Sequence, residues 1–206
     1  MELLLIRHAL PVRRENAGGP ADPELSEAGA AQAELLAEYL AAEHLHAVYA
    51  SPLQRARQTA APLAQRKGVT VVIEDGVAEY DRHSDSYVPV EELKAANDPR
   101  WKEIVATGGQ YDDISAEEFQ ALVVGSVEKL IAAHGGHKIA VVCHGGVINA
   151  YLAHVLRLAD PTGFFYPNYT SIHRVAAARS GERSILTINE TSHLRGSGLP
   201  VGLFQG

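Results

Sequence analysis

The sequence predicts an α/β fold, a three-layer α/β/α sandwich with a mostly parallel, mixed central sheet. Three observations support this prediction. Strand-like runs alternate with helical patterns, as they do in parallel α/β sheets. The runs at 3–6 and 138–143 are apolar almost throughout, which is typical of strands that are buried on both faces. Two strand-like runs near the end of the chain are joined by a short turn, which indicates an antiparallel addition to the sheet.

The first half of the chain carries three predicted strands and two predicted helices. Ser26 supplies an N-cap for the first helix, whose larger apolar side chains recur on one face. A loop without periodicity separates this helix from the first strand. The predicted strands cover residues 3–6, 47–50 and 69–73, the loop covers 10–23, and the helices cover 26–42 and 53–66.

The second half begins with a segment in which no periodicity persists. Pro89, Pro99 and the single tryptophan, Trp101, interrupt it. We therefore expect an irregular or weakly helical insertion around 76–110 that faces the substrate. The capping-box segment 115–118 then opens a helix. The predicted helices cover residues 115–133 and 145–156, and the predicted strands cover 138–143, 171–178 and 184–189.

Length and composition fit one folded domain over residues 1–206. Apolar residues make up 46% of the chain and charged residues 21%, which allows a substantial core. The net charge of −7 disfavours nucleic acid as a partner. With one cysteine, no signal-peptide pattern and no apolar stretch of membrane-spanning length, we expect a cytoplasmic protein that does not enter membranes. Its oligomeric state is open, with a homodimer as one option.

Two histidines follow buried strands of the same kind. His8 comes directly after Arg7 at the end of the first strand, and His144 follows the 138–143 strand. Ligands of open α/β sheets bind outside the carboxyl ends of the strands, so we expect both imidazoles in one crevice. Gly145 allows a ligand to approach the backbone closely, and the following helix N-terminus offers N–H donors to an anion.

A third group of residues begins at Ser51, where the second strand ends. Arg55 then falls in the first turn of a helix beside the same sheet edge, whereas Arg57 faces elsewhere. A guanidinium group binds a phosphoryl group through paired hydrogen bonds. Two arginines and two histidines at one edge predict an electropositive pocket for a small, doubly charged substrate.

These motifs resemble those of the histidine phosphatase (phosphoglycerate mutase-like) superfamily. The resemblance runs through the chain in order, from Leu3 to about Val175. The segments that carry it are Arg7-His8, Leu25 to Ala33, Ser51 to Thr59, His144-Gly145 and Asn168 to Ser171. The resemblance implies a phosphoglycerate mutase-like fold and a phosphomonoester hydrolase that uses neither a metal nor another cofactor.

The resemblance also implies roles for individual residues. His8 would attack phosphorus and become phosphohistidine, from which water would release phosphate. Arg7, Arg55 and His144 would surround the oxygens of the transferring group, and Gly145 would contribute to the same binding site.

The same resemblance places the proton donor at Glu79, which would protonate the leaving oxygen and then help to activate water. Three other carboxyl groups compete for this role. They are Glu74, Asp75 and Asp81.

Three features depart from the family pattern, and one is that Glu79 is not followed by the customary Gly-containing stretch. Ala9 stands where the family usually has glycine. Its methyl group would strain or narrow the pocket if that position needed a positive φ or a close approach of the ligand. The loop after it is also unusual, and either Arg13 or Arg14 is a candidate for a substrate contact. Tyr87 is interpreted as a residue of local packing rather than as a ring that stacks on substrate.

Two histidine pairs, His44 with His46 and His134 with His137, raise the question of a metal site. Neither pair has aspartate or cysteine ligands nearby at a familiar spacing. We therefore interpret them as exposed loop residues and predict no metal.

Three alternatives to hydrolysis are left open. A phosphomutase would use the same histidine chemistry, although the short insertion favours a hydrolase. A weakly active member of the family would only bind a phosphorylated ligand, and Ala9 motivates this option. A metallohydrolase would lose activity with a chelator.

Overall fold

The computed structural model of the chain describes residues 1–15, 17–107, 114–159 and 163–203. The strands are β1 (Glu2–Arg7), β2 (Ala47–Ala50), β3 (Val71–Ile73), β4 (Lys138–Cys143), β5 (Ile172–Ala177) and β6 (Arg183–Glu190). The helices are α1 (Glu27–Tyr39), α2 (Gln54–Lys67), α3 (Val90–Ala95), α4 (Pro99–Thr107), α5 (Ala116–Ala133) and α6 (Gly145–Leu156). Among the residues so described, no helix is both long enough and apolar enough to cross a membrane.

Within the described residues, six strands form one sheet in the order β3-β2-β4-β1-β5-β6. The pairs β1–β4, β4–β2 and β2–β3 are parallel, whereas β5 is antiparallel to β1 and β6 is antiparallel to β5. The predicted mixed, mostly parallel sheet is therefore confirmed. Because β1, β2 and β4 are parallel, their carboxyl ends meet at one edge of the sheet.

Successive side chains of β1 point to opposite faces of the sheet, and helices cover both faces, so the fold has three layers. Leu3 and Leu5 belong to a core that includes side chains of α5 and α6. Leu4 and Ile6 face the opposite core, which includes side chains of α1 and α2. All four side chains are fully buried, as expected for a parallel strand covered by helices on both faces.

The predicted helix caps are present. The Ser26 side chain accepts a hydrogen bond from the Gly29 N–H at 3.0 Å. Ser115 and Glu118 exchange the two hydrogen bonds of a capping box at the start of α5. Some boundaries differ from those predicted, since α1 ends at Tyr39 rather than residue 42 and β3 begins two residues later than expected.

The insertion around 76–110 contains more regular structure than expected, and its residues 108–110 lie outside the described part of the chain. Helices α3 and α4 occupy much of it. The prolines that interrupt the sequence pattern begin these helices, because Pro89 is the N-cap of α3 and Pro99 is the first residue of α4. The backbone of Tyr87 pairs with that of Arg14, which joins the insertion to the loop after β1.

Candidate active site

His8 and His144 are neighbours because their strands are neighbours. Arg7 at the end of β1 pairs in parallel with Cys143 at the end of β4, so the next residue of each strand enters the same crevice. The two imidazole centroids are 5.1 Å apart. Both histidines are buried, with exposed fractions of 2% and 0%.

One nitrogen of the His8 ring is held by the backbone. Its Nδ1 lies 2.7 Å from the Ala9 carbonyl oxygen. In the tautomer in which Nδ1 donates to this oxygen, Nε2 carries the lone pair. Burial first, and then the positive charges of Arg55 and Arg7, hold the pKa of His8 well below 6.5. The imidazole of His8 is therefore neutral near pH 7, with a lone pair available for bonding.

Ala9 is accommodated without backbone strain. Its φ is not positive, so its methyl group causes no backbone strain there. The Ala9 N–H donates to Thr59 Oγ1 at 2.9 Å, and the Thr59 hydroxyl donates to the Arg55 carbonyl oxygen at 2.7 Å. These two bonds join the residue after His8 to the helix that carries Arg55.

Arg7 lies between two phenol rings and a backbone carbonyl group. Its Nη1 donates to the Pro167 carbonyl oxygen at 2.7 Å. The guanidinium carbon lies 4.3 Å from the Tyr169 ring centroid and 4.9 Å from that of Tyr166. Thr170 follows with a φ of 52°, which is strained for a β-branched residue and turns the chain beside Arg7.

Arg55 enters the crevice from the first turn of α2. Its side chain is almost fully buried, and Nη2 lies 3.5 Å from Asp81 Oδ1. The guanidinium carbon is 4.7 Å from the centroid of the Tyr87 ring, within the range of a cation–π contact. Arg57 is exposed, as the helical spacing predicts. Only Arg55 of this pair can act in the crevice.

His144 is oriented by Ser51, because its Nε2 lies 2.7 Å from Ser51 Oγ. Burial, followed by the charge of Arg55, lowers the pKa of His144 well below 6.5. Within the described residues, three buried nitrogens of this cluster have no hydrogen-bond partner: Arg7 Nε, Arg55 Nε and His144 Nδ1. Buried donors without partners cost free energy. A phosphoryl group would supply acceptors for the two arginine nitrogens, and for His144 Nδ1 in the tautomer that carries its proton there.

Glu79 is held at the N-terminus of α6. Its Oε2 accepts a hydrogen bond from the Gly146 N–H at 2.9 Å, and its exposed fraction is 8%. Gly146 permits this approach, since a Cβ atom there would lie 2.3 Å from Glu79 Oε1. Burial, and then the negative charge of Asp81, raises the pKa of Glu79 to about 7. A carboxyl group with this pKa is suited to exchange a proton at neutral pH.

The other three acids have different positions. Glu74 accepts a hydrogen bond from Gly76 N–H and caps a short 3-10 turn, and Asp75 is exposed in that turn. Asp81 is engaged with Arg55. The structure thus gives Glu79 the most secluded position of the four.

A family model described as "Histidine phosphatase superfamily (branch 1)" matches residues 3–191. The chain belongs to the histidine phosphatase superfamily. It is 32% identical to phosphoserine phosphatase 1 of Hydrogenobacter thermophilus over 205 residues, which cover 94% of each chain. The family and this relative support a phosphoric monoester hydrolase.

Solved structures of the superfamily share the fold. A variant phosphoserine phosphatase of Entamoeba histolytica in complex with phosphoserine superposes with a TM-score of 0.73 at 24% identity, over 94% of this chain and 98% of that one. A mycobacterial glucosyl-3-phosphoglycerate phosphatase in complex with inorganic phosphate also gives 0.73 at 24% identity, over 93% and 98%. These likenesses confirm the phosphoglycerate mutase-like fold predicted above.

In this histidine phosphatase the side chains of the candidate contacts Arg13 and Arg14 are exposed and lie in ion pairs. Arg13 is half exposed and pairs with Glu15. Arg14 pairs with Glu24 at 2.6 Å. The backbone of Arg14 is also bridged to that of Tyr87, whose ring covers Arg55. A substrate contact by either arginine stays a prediction. Gly145 begins α6 directly after His144, beside the unpartnered Nδ1.

Sequence reasoning missed the tyrosines of the crevice. The sequence suggests only local packing for Tyr87, whereas its ring covers Arg55 and lies 6.5 Å from the His8 ring between centroids. Tyr166 and Tyr169 enclose Arg7 in the same way. The turn-forming segment before Ser171 was a signal for the last two, but nothing in the local pattern indicated that their rings would face Arg7.

The two histidine pairs meet at the opposite edge of the sheet. The rings of His46 and His137 stack with centroids 4.1 Å apart, and His44 lies 4.4 Å from His46. This contact was not expected, because the pairs are far apart in the chain. In the part of the chain that the structure describes, no group of three or more potential ligands is arranged to hold a metal ion.

Proposed function

We propose that this chain is a metal-independent phosphomonoester hydrolase that forms a phosphohistidine on His8. The observation that carries the proposal is the convergence of unpartnered, buried nitrogens on a neutral imidazole. Arg7, Arg55 and His144 bind the phosphoryl oxygens, and Glu79 is the proton donor. The arrangement supports positioning and charge stabilisation, which phosphoryl transfer chiefly requires of a protein.

In the first step the Nε2 lone pair of His8 forms a bond to phosphorus, and the bond from phosphorus to the ester oxygen breaks. The leaving oxygen takes the proton of Glu79 and departs as an alcohol. Arg7 and Arg55 balance the negative charge on the other oxygens. His8 holds the phosphoryl group as phosphohistidine, and Glu79 is left as a carboxylate.

In the second step water attacks phosphorus from the side that the alcohol has left. Glu79 accepts a proton from this water while the nitrogen–phosphorus bond breaks. His8 recovers its lone pair, Glu79 recovers its proton and inorganic phosphate leaves. The protein returns to its starting state without a metal ion or a redox partner.

The substrate of the proposed reaction is a small phosphorylated metabolite. The relatives named above include phosphatases of phosphoserine and of glucosyl-3-phosphoglycerate, and one structure is a complex with phosphoserine. The Tyr87 ring packs on Arg55 and lies 6.5 Å from the His8 ring between centroids, which favours compact esters over phosphoproteins. A cytoplasmic location, a homodimer and the organisation of residues 1–206 as one domain stay predictions.

A screen of phosphorylated metabolites with and without a chelator tests the proposal. We expect stoichiometric release of inorganic phosphate from at least one ester and no change of rate in EDTA. Loss of activity in EDTA that added metal restores would indicate a metallohydrolase. Movement of the phosphoryl group within the substrate, without net phosphate release, would indicate a mutase.

Glu79→Gln is expected to lower kcat about 100-fold for alkyl phosphates, because the amide cannot protonate the leaving oxygen. The loss should be smaller for 4-nitrophenyl phosphate, whose leaving group needs little protonation. In the wild type, kcat/KM for alkyl phosphates should fall as pH rises through about 7, since the Glu79 donor acts in its protonated form. Activity should persist as pH falls through 6.5, because His8 stays neutral there.

The measurement is the pH profile of kcat/KM for the wild type and the variant. Asp75→Asn is the matched control, because Asp75 is exposed nearby in the chain. An unchanged alkaline decline in Glu79→Gln would assign the donor to another group.

A further inference from the structure

Glu91 places a carboxylate oxygen against the tyrosines of the crevice. It lies in the first turn of α3, within the insertion. Its Oε2 is buried and makes no hydrogen bond within the residues that the structure describes. A buried carboxylate oxygen without a donor is costly unless a ligand supplies one.

Tyr166 connects this carboxylate to the phosphoryl site. The Tyr166 ring packs on the Arg7 guanidinium at 4.9 Å, and its phenol hydroxyl interacts with both Arg7 and Glu91. The hydroxyl of Tyr169 is buried nearby without a partner among the described residues, and it experiences the charge of Glu91. A negatively charged acceptor therefore lies one side chain away from a group that binds phosphate.

Glu92, the next residue of α3, does not share the burial of the Glu91 carboxylate group. Glu92 is exposed, and its Oε2 lies 3.5 Å from the Arg13 guanidinium. Among the ion pairs between described residues, Glu91 takes part in none. The same short helix thus carries one glutamate paired at the surface and one directed into the protein.

We propose that Glu91, together with the phenols of Tyr166 and Tyr169, forms a subsite for an ammonium group of the substrate. The substrate class is then the phosphomonoesters of small amino alcohols and hydroxyamino acids. This inference rests on the proposed function and adds the chemistry of the alcohol. A carboxylate binds a charged N–H donor more strongly than a hydroxyl, so the subsite distinguishes ammonium from hydroxyl at the same position.

Phosphoserine belongs to this class, since its ammonium group is on the second carbon from the ester oxygen. 3-Phosphoglycerate of the same configuration carries a hydroxyl group at that carbon. It is otherwise identical to phosphoserine in its carbon chain, carboxylate and phosphate. The experiment measures kcat/KM for both compounds with the wild type, Glu91→Gln and Glu92→Gln. Hydrolysis of 4-nitrophenyl phosphate and the thermal melting curve are recorded for each protein.

We expect the wild type to prefer phosphoserine. Glu91→Gln should lower kcat/KM for phosphoserine about tenfold or more, as expected for the loss of a charged hydrogen bond. The same variant should change kcat/KM for 3-phosphoglycerate by less than about threefold. Glu92→Gln should leave both values unchanged.

Two results would overturn the inference while the proposed function stands. One is a wild type that hydrolyses 4-nitrophenyl phosphate through His8 without preferring phosphoserine, a result that does not depend on how any Glu91 variant folds. The other is an equal loss for both substrates in Glu91→Gln, which would give Glu91 a structural role. Hydrolysis of 4-nitrophenyl phosphate that persists in His8→Ala would instead refute the proposed function.

Discussion

His8→Ala is expected to lower kcat for phosphate release by about 1,000-fold or more, because the imidazole supplies the lone pair that forms the intermediate. The variant should also fail to take up label from a substrate carrying radioactive phosphate. In the wild type, quenching during turnover should trap a phosphoprotein that is stable in alkali and labile in acid, as phosphohistidine is. Steady-state rates and the trapped label are the two measurements.

His137→Ala is a suitable control for this prediction. His137 is an exposed histidine at the opposite edge of the sheet, so the substitution should change neither kcat nor labelling. Binding of inorganic phosphate by His8→Ala would show that the remaining donors are still in place. A variant that is folded, binds phosphate and still forms the labelled intermediate would remove His8 from the role of nucleophile.

Arg55→Ala is expected to lower kcat/KM about 1,000-fold, because it removes a buried guanidinium from the charge that develops on the phosphoryl oxygens. Arg55→Lys should recover only part of this loss, since an ammonium group cannot form the paired hydrogen bonds of a guanidinium. The change should appear largely in kcat if Arg55 acts on the transition state more than on the bound substrate.

Arg57→Ala provides the comparison, because Arg57 lies two residues further along the same helix and is exposed. We expect a change of less than about threefold in kcat/KM. Melting curves of both variants separate a catalytic effect from a loss of fold. Equal losses in Arg55→Ala and Arg57→Ala would mean that the charge of α2 as a whole, rather than one placed guanidinium, supports the reaction.

Much of the fold was accessible from local patterns. The apolar runs of β1 and β4 predicted buried parallel strands, and the cap residues Ser26 and Ser115 marked helix starts that the structure shows. The two helices of the insertion were not predicted, and the reason is physical. Its prolines interrupt the helical periodicity, but proline is favourable at a helix start, so the same residues open α3 and α4.

Residues at strand ends were the predictable part of the candidate site. His8, His144 and Arg55 each follow a strand of the parallel sheet directly or within one turn, and the topology of such sheets collects them at one edge. The sequence pattern did not predict the surroundings of Tyr87 and Glu91 in the insertion, where the Tyr87 ring covers Arg55 and a carboxylate oxygen of Glu91 is buried. Their positions depend on how that segment folds over the sheet, and no period in the sequence encodes this.

The sequence by itself determined which chemistry is available, since arginine and histidine at the carboxyl ends of parallel strands are set by local pattern and a general rule of topology. Only the tertiary structure decided how that chemistry is surrounded. In the folded chain Glu79 accepts a hydrogen bond from the Gly146 N–H, and Arg13 forms an ion pair at the surface. Two phenol rings pack against the Arg7 guanidinium group. These contacts join segments far apart in the chain, and their geometry depends on packing that residue type and spacing do not specify.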